Sequence, residues 1–238
     1  MLVNVKKNTI YFRFFVILLT FNLIISCKST SSYQTTKIEG KKIGVTNEKG
    51  ENEAIVNYVK PYSDNINKDL NSVLAYCPET QDKSKGTWQS NIGNLLAEIT
   101  FELGNPVFQK RENKTIDVCL LNHGGIRAVI PKGDVTTRTA FEVMPFENSL
   151  IIVGLTGKEI KTLAEYIIKE KKPHPLYGMK IYIDKSTLKI NKIEINNQPL
   201  DENRIYYVGT SDYLANGGDN MTFFKESKIK FDMDYKLR

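Results

Sequence analysis

The sequence predicts an α+β fold: a single domain of mixed β-sheets with flanking helices, covering residues 37–238. Apolar residues recur at helical spacing across 90–103, which predicts an amphipathic helix. The apolar run 149–155 indicates a buried strand, and the alternating runs 179–183 and 189–195 indicate half-buried strands. Because no internal repeat or linker interrupts these patterns, they predict one domain.

The composition is that of an ordinary globular protein. Of the 238 residues, 41% are hydrophobic and 25% are charged, which suffices for one sizeable core or two small ones. The formal net charge is +6, and leaving out Lys6, Lys7 and Arg13 lowers it to +3. So small a charge does not predict a nucleic-acid footprint, and we expect no nucleic-acid partner.

Residues 1–26 predict a signal peptide of the bacterial lipoprotein type. Two lysines precede the mostly apolar stretch 14–25, which is short for a transmembrane helix and typical of a signal h-region. A serine directly before Cys27 resembles a lipobox, which implies cleavage before Cys27 and its lipidation. A plain signal peptide and a short uncleaved anchor are the alternatives. The Ser/Thr-rich segment 27–36 predicts a tether, so we expect a protein anchored to a lipid membrane of the bacterial cell envelope, facing the periplasm or the exterior.

Cysteine and histidine are scarce in the rest of the chain. Cys77 and Cys119 could form a disulfide in an envelope protein, but Cys119 stands in an apolar strand pattern, which favours a buried free thiol. The two histidines, His123 and His174, belong to no cluster with metal-ligand spacing. We therefore expect neither a metal site nor a cofactor in this chain.

The first half of the chain predicts a helix between short strands. Residues 53–71 have helical spacing, and Pro61 predicts a kink or two short helices there. The remaining patterns of this half predict strands at 37–48, 72–76 and 117–121 and a polar loop at 81–87.

The helix at 90–103 has clear boundary signals. Ser90 or Asn91 is the expected N-cap, and Gly104 is the expected stop signal. Gly93 costs about 1 kcal/mol against alanine inside a helix, so we expect another backbone to lie against it. The predicted inner face consists of Ile92, Leu95, Leu96, Ile99 and Leu103.

The second half predicts two helices and several strands. Thr156 and Glu159 are spaced as a capping box, which predicts a helix that continues to Glu170. Thr136 or Thr137 is the expected cap of a short helix that ends at residue 143. The other elements are turns at 130–134 and 185–188, a loop at 144–148, and strands at 149–155, 179–183, 189–195 and 204–210.

Three loops at strand ends are candidates to meet in space. Each holds aromatic or charged residues in a polar, Gly/Pro-rich setting, where an unpartnered aromatic is costly. Two aromatics can sandwich a base, a carboxylate can accept from both ribose hydroxyls, and an arginine can hold phosphate. Core packing is the alternative for either aromatic. The residues offered are Asn122 and Arg127, then Phe146 and Asn148, then Tyr213, Asn216 and Asp219.

Four stretches together resemble the C-terminal domain of the 5′-nucleotidase family, which includes ecto-5′-nucleotidase and bacterial UDP-sugar hydrolase. They agree in order and spacing over roughly residues 37–224. They are 91–95, 122–127, 144–148 followed by 156–159, and 213–219.

The resemblance implies a role for six positions in binding a nucleoside or nucleotide. The two aromatics would clamp the base, the two asparagines would lie near its edge, the arginine would reach ribose or phosphate, and the acid would hold the ribose hydroxyls. The positions are Asn122, Arg127, Phe146, Asn148, Tyr213 and Asp219. Gly124 joins them as a candidate because a glycine lets the backbone come close to a bound group.

The chain departs from the family pattern in several places. His123 stands where relatives usually have glycine, and Tyr213 replaces a more usual phenylalanine, which keeps a stacking face. Relatives commonly have an arginine shortly before the first matching helix, where this chain has Lys83 and Lys85. A lysine supplies a point charge without bidentate geometry. Trp88, next along the chain, covers the site or packs, and packing is the preferred interpretation.

Full-length relatives place a dinuclear metallophosphatase domain before this one, and we expect this chain to lack it. We therefore expect no catalytic residue here, and divalent metals only on a separate metallophosphatase partner. The leading hypothesis is the substrate-binding half of a split 5′-nucleotidase, and the alternative is a non-catalytic envelope lipoprotein that binds nucleosides, nucleotides or nucleotide sugars. A third hypothesis, an assembly module with a vestigial pocket, is less favoured because the pocket residues are present.

Overall fold

The computed structural model describes residues 3–24, 33–46 and 50–238, which divide into two units, Met1–Asn52 and Glu53–Arg238. In the first unit, helix α1 spans Val3–Ile24, and residues 33–46 form no regular element. The strand predicted at 37–48 is therefore wrong for 37–46. Among the described residues, no helix has the length and apolar run that a membrane crossing requires. Cys27 lies outside them.

The second unit has α-helices and β-strands in mixed order, as an α+β fold predicts. The helices are α2 (Glu53–Leu70), α3 (Asn91–Glu112), α4 (Thr137–Val143), α5 (Gly157–Glu170), α6 (Asp212–Ala215) and α7 (Thr222–Glu226). The strands are β1 (Val73–Cys77), β2 (Val118–Leu120), β3 (Gly133–Thr136), β4 (Ser149–Thr156), β5 (Leu176–Tyr177), β6 (Met179–Ile183), β7 (Ile190–Ile195), β8 (Gln198–Pro199), β9 (Ile205–Ser211) and β10 (Lys230–Lys236).

A five-stranded sheet forms the centre of this unit, in the order β10-β4-β9-β2-β5. Strands β2 and β9 are parallel, whereas β4 is antiparallel to β9 and β5 is antiparallel to β2. Two smaller sheets, β1-β3 and β6-β7-β8, lie outside it. Because β9 has a neighbour on both sides, its inner residues are almost entirely buried.

A buried aspartate aligns the parallel pair. The carboxylate of Asp117 accepts from the backbone N–H of Tyr207 at 2.9 Å and from Arg204 Nη2 at 2.6 Å. The N–H of Asp117 in turn donates to the carbonyl of Tyr207 at 2.8 Å. Burial raises the pKa of Asp117, although the two donors oppose that shift. These bonds extend the β2–β9 pairing by one residue and fix its register.

Helix α5 covers the main core. Its inner residues Ile160, Leu163, Ala164 and Ile167 pack in one buried cluster with residues of β4 and β9. The predicted capping box is confirmed, since the Thr156 side chain accepts from the Glu159 N–H and the Glu159 carboxylate accepts from the Thr156 N–H. The helix therefore begins where the sequence predicted.

Helix α3 is longer than the helix predicted at 90–103, and it buries a different face. Ser90 is the N-cap as expected, but the helix continues through Gly104 and Pro106 and ends at a left-handed Asn113. Gly104 is a packing site, because a Cβ there would lie 2.7 Å from Leu150 Cδ2. The buried face is also rotated from the predicted one: Gly93, Ala97, Gly104 and Phe108 join Ile92, whereas Ile99 and Leu103 are exposed. As expected of Gly93, the 173–175 backbone lies against it, within 3.7 Å of the position that a Cβ would take.

Helix α2 is a single helix that contains Pro61, so the two short helices allowed for there are wrong. Its contact with the rest of the unit is polar, since Arg138 Nη2 donates to Asn67 Oδ1 at 2.6 Å. Its apolar residues Val59, Tyr62 and Ile66 are exposed. The helix thus turns its polar side toward the domain and its apolar stripe outward.

Most of the remaining predictions are confirmed, but the set of predicted strands is incomplete. The strands predicted at 72–76, 149–155, 179–183, 189–195 and 204–210 are present to within one or two residues, and Thr136 caps α4. Strands β3, β5, β8 and β10 were missed. Trp88 packs against the main core, as preferred, and Cys77 and Cys119 are both free and buried.

We expect Gly178→Ala to lower the free energy of unfolding by about 3–5 kcal/mol, because it combines backbone strain with a clash. Gly178 has a φ of +84°, and a Cβ would stand 2.3 Å from the carbonyl oxygen of Asp117. Urea denaturation measures the loss.

Gly133→Ala is the matched control, because Gly133 has a φ of +118° but no atom within 4 Å of the position that a Cβ would take. Its expected cost is the strain alone, about 1–2 kcal/mol. Equal losses in the two variants would contradict a close approach at Asp117.

Candidate functional site

Strand direction brings three loops to one edge of the central sheet. Because β2 and β9 are parallel, the residues that follow Leu120 and Ser211 emerge on the same side. Strand β4 runs the other way, with Leu150 opposite Ser211, so the loop that precedes β4 reaches this edge as well. The middle loop therefore precedes its strand, whereas the other two follow theirs.

The three loops enclose a cavity of about 340 Å³. This volume lies at the lower end of the range for small-molecule pockets. The seven residues named from the sequence all line it: Asn122, Gly124, Arg127, Phe146, Asn148, Tyr213 and Asp219. The structure thus brings them together, while their roles toward a ligand stay predictions.

The first loop is a short 3₁₀ turn, His123–Gly125, after Asn122. The Asn122 side chain folds over this turn, and a Cβ at Gly125 would lie 2.8 Å from its Oδ1. The backbone N–H of Arg127 donates to the carbonyl of Val143 at 2.8 Å, which joins the first loop to the end of α4. The loop is therefore held in place by contacts that need no ligand.

Lys83 supports the same loop from outside the pocket. Its Nζ donates to the carbonyl of Ile126 and, at 3.3 Å, to that of His123. Burial, followed by the nearby Arg127, lowers the pKa of Lys83. The lysine that stands near the family's usual arginine is thus engaged with backbone carbonyls.

Phe146 and Arg127 form the basic side of the pocket. The guanidinium of Arg127 lies over the Phe146 ring, 5.5 Å from its centroid, in a cation–π arrangement. The Phe146 side chain is 44% exposed, so core packing does not account for it. One face of this ring contacts a cation, and a flat ligand could use the other.

Tyr213 and Asp219 form the opposite side. Tyr213 is 46% exposed, and its hydroxyl donates to Asp219 Oδ1 at 2.8 Å. That hydrogen bond raises the pKa of Tyr213. Gly218 lets the ring close over the loop, since a Cβ there would stand 2.5 Å from the ring carbons. The carboxylate is therefore oriented by the aromatic beside it.

Two residues near the pocket differ from expectation. Asn216 does not line the cavity, and its Nδ2 instead donates to the Asp212 carbonyl as α6 ends. Tyr166 was not singled out, although its hydroxyl donates to the Asp219 carbonyl at 2.7 Å. Tyr166 lies within the predicted helix that ends at Glu170, and the helical pattern gave no signal for this contact.

Metal-binding side chains do not gather in the described part of the chain. Within 3–24, 33–46 and 50–238, no group of three or more His, Cys, Asp or Glu side chains could hold a metal ion. The pocket residues themselves offer one carboxylate, which already accepts from Tyr213. These side chains do not fit a dinuclear metal centre.

A pocket of aromatic, basic and acidic side chains at the strand ends of an α+β domain is typical of domains that bind small ligands. The profile of the family described as 5′-nucleotidase, C-terminal domain, matches residues 72–226. The chain belongs to this family, as the four stretches predicted.

Named relatives agree with this assignment. The chain is 28% identical over 171 residues to the trifunctional nucleotide phosphoesterase protein YfkN of Bacillus subtilis, covering 63% of this chain and 11% of YfkN. It is 24% identical over 207 residues to protein UshA of Escherichia coli, covering 82% of this chain and 34% of UshA.

Solved structures share the fold. The 5′-nucleotidase precursor of Thermus thermophilus superposes with a TM-score of 0.63 and 27% identity, over 78% of this chain and 38% of that protein. The chain therefore spans well under half the length of the relatives it matches.

Proposed function

We propose that this chain is the nucleoside- or nucleotide-binding half of a 5′-nucleotidase-type phosphohydrolase, acting in nucleotide breakdown. The observation that carries the proposal is the cavity of about 340 Å³, which all seven expected residues line. Membership of the 5′-nucleotidase C-terminal domain family supports the same ligand class.

The two aromatics are suited to a flat base. Phe146 and Tyr213 line one cavity from different loops, and both are about half exposed. Stacking on such rings contributes about 1–3 kcal/mol per base and accepts any base. Asn122 and Asn148 supply amide donors and acceptors for the base edge.

The charged residues are suited to the sugar and the phosphate. The Asp219 carboxylate keeps a second oxygen beyond the one that Tyr213 engages, and it can accept from ribose hydroxyls. Arg127 presents a planar group of donors that suits phosphate, and its place beside Phe146 sets it next to a stacked base. Base, sugar and phosphate would each meet a matching group.

The hydrolytic chemistry would come from a separate metallophosphatase chain. In two-metal hydrolysis, metal ions clamp the attacking and leaving oxygens, and the divalent metals would be bound by that partner. This chain would contribute by holding the nucleoside so that the phosphate reaches the partner in a fixed orientation.

A second candidate is a non-catalytic binder of nucleosides, nucleotides or nucleotide sugars. The specific observation in its favour is that the residues suited to base, sugar and phosphate all line one cavity of this chain. The two candidates share the pocket and differ in whether a phosphatase chain uses it.

We expect Phe146→Ala and Tyr213→Ala each to weaken nucleoside binding by about 5- to 100-fold, the loss of one stacking ring. Isothermal titration calorimetry with adenosine and with AMP measures the change. Tyr213→Phe should keep the affinity within about threefold, because it retains the ring and removes only the bond to Asp219.

Phe141→Ala and Tyr182→Ala are matched controls, because these aromatics are 43% and 44% exposed and lie outside the cavity. Controls that weaken binding as much as the pocket variants would contradict the assignment of the pocket.

A phosphate-release assay with AMP and a divalent metal separates the two candidate functions. We expect no turnover by the chain alone, and turnover above the phosphatase's own rate when a copurifying metallophosphatase is added. Mixing with no gain in rate would favour the non-catalytic binder. Chelator-sensitive turnover by the pure chain would refute the need for a partner.

We also propose that the protein is anchored to an envelope membrane through a lipid on Cys27. We expect the wild-type chain to incorporate labelled palmitate in a bacterial host and to sediment with membranes, and Cys27→Ser to do neither. Cys77→Ser is the control, since Cys77 is buried within the folded unit. Equal labelling of the Cys27→Ser variant would exclude this anchor.

A further inference from the structure

The two histidines of the chain meet beside the pocket, although 51 positions separate them. The backbone N–H of His123 donates to His174 Nδ1 at 3.3 Å. His174 is 3% exposed, and His123 is partly buried. Among the described residues, His174 Nε2 and His123 Nδ1 are buried side-chain atoms without a hydrogen-bond partner. Buried polar atoms without a partner are uncommon in folded proteins, which distinguishes this pair from an ordinary packing contact.

The segment around His174 holds the backbone on both sides of Asn122. The N–H of Leu121 donates to the carbonyl of Pro175 at 2.9 Å, and the N–H of His123 donates to His174 Nδ1. Asn122, which lines the pocket, stands between these two anchored residues. Its backbone position is thus set by the segment that contains His174.

His174 also contacts Tyr166, which supports the loop that contains Asp219. Its ring packs against the ring of Tyr166, with centroids 5.9 Å apart. The Tyr166 hydroxyl donates to the backbone carbonyl of Asp219. A chain of contacts therefore joins Asn122 to Asp219 through His174 and Tyr166, behind the cavity.

The hydrogen bond from His123 determines the tautomer of His174. Because Nδ1 accepts an N–H, its lone pair is occupied and the proton of the neutral ring is on Nε2. Protonation would add a second proton to the ring, and this proton would be on Nδ1, where it faces the His123 N–H. The acceptor would be lost and replaced by a repulsive contact.

We propose that His174 is a positioning residue of the nucleoside pocket, which in its neutral Nε2–H form holds Asn122 in place and joins the two loops. Its effect on affinity rests on the function proposed above. Its effect on the backbone of the Asn122 loop does not.

The groups around His174 favour its neutral form. Burial lowers the pKa of His174, and His123 and Lys172 lower it further, while Asp219 and Glu170 oppose them. Burial also lowers the pKa of His123, together with Lys83 and Lys172, while the Pro173 backbone and Asp219 oppose that shift. The His174 pKa lies below its ordinary value in the folded chain, so neutral pH leaves the ring uncharged, and acidification through the lowered pKa disrupts the bond.

Two variants separate the acceptor from the ring. His174→Asn keeps a side-chain oxygen near the position of Nδ1 but cannot titrate, and His174→Phe keeps a ring without an acceptor. We expect His174→Phe to weaken nucleoside binding about 5- to 10-fold at neutral pH, and His174→Asn to weaken it by less than about threefold. As the pH is lowered below the ordinary histidine pKa of about 6.5, the wild type should lose affinity by up to tenfold per pH unit below the pKa of His174, and His174→Asn should lose less.

His123→Ala identifies which histidine is responsible, because it removes the second imidazole and keeps the backbone donor. We expect the acid-dependent loss of affinity to persist in this variant. A loss that disappears in His123→Ala and persists in His174→Asn would overturn the proposal.

Two measurements on the free protein distinguish a failure of this inference from a failure of the proposed function. Nitrogen-15 NMR should show His174 as the Nε2–H tautomer, and the His123 amide should lose exchange protection in His174→Phe but not in His174→Asn. Urea denaturation of both variants corrects the exchange rates for global stability. An Nδ1–H tautomer, or unchanged protection in His174→Phe, would refute the role of His174 even if nucleosides bind. If the wild type binds no nucleoside, the proposed function fails, and these two measurements still decide the positioning role.

Discussion

The parallel pairing of β2 with β9 is the constraint on which the pocket depends. Parallel strands deliver their following residues to the same edge of a sheet, so the loops after Leu120 and Ser211 become neighbours despite their distance along the chain. Asp117 secures this pairing by accepting from Tyr207 and Arg204. A carboxylate at this depth is stable only while both donors remain, which couples the position of the loops to a buried polar contact.

The pocket residues are placed by contacts that involve no ligand. The Tyr213 ring rests on Gly218 and orients Asp219, Lys83 holds the first loop by its carbonyls, and Arg127 stacks on Phe146. Such preorganisation lowers the ordering cost of binding.

The sequence predicted the helices and strands better than the tertiary contacts that these elements make. The capping box at Thr156 and the alternating strands are local signals, and they were read correctly. Gly104 was misread as a helix end because its cause, the close approach of Leu150, lies 46 residues away. The two short helices allowed for at Pro61 are wrong, because helix α2 continues through the proline. Six of the seven pocket residues were offered by the three strand-end loops, and the resemblance assigned their roles. The contacts of Lys83, Tyr166 and His174 depend on which loops become neighbours, and no local pattern encodes that.

The construction of the cavity from three strand ends links occupancy to folding. Each lining residue lies within eight positions of β2, β4 or β9, so separating these strands dismantles the cavity as a whole. A molecule that binds only the intact cavity raises the free energy of unfolding by mass action. At a concentration one hundred times its Kd, the increase is about 2.7 kcal/mol. The abundance of such a ligand would then govern how long the chain survives thermal unfolding and proteolysis, independently of any reaction it takes part in.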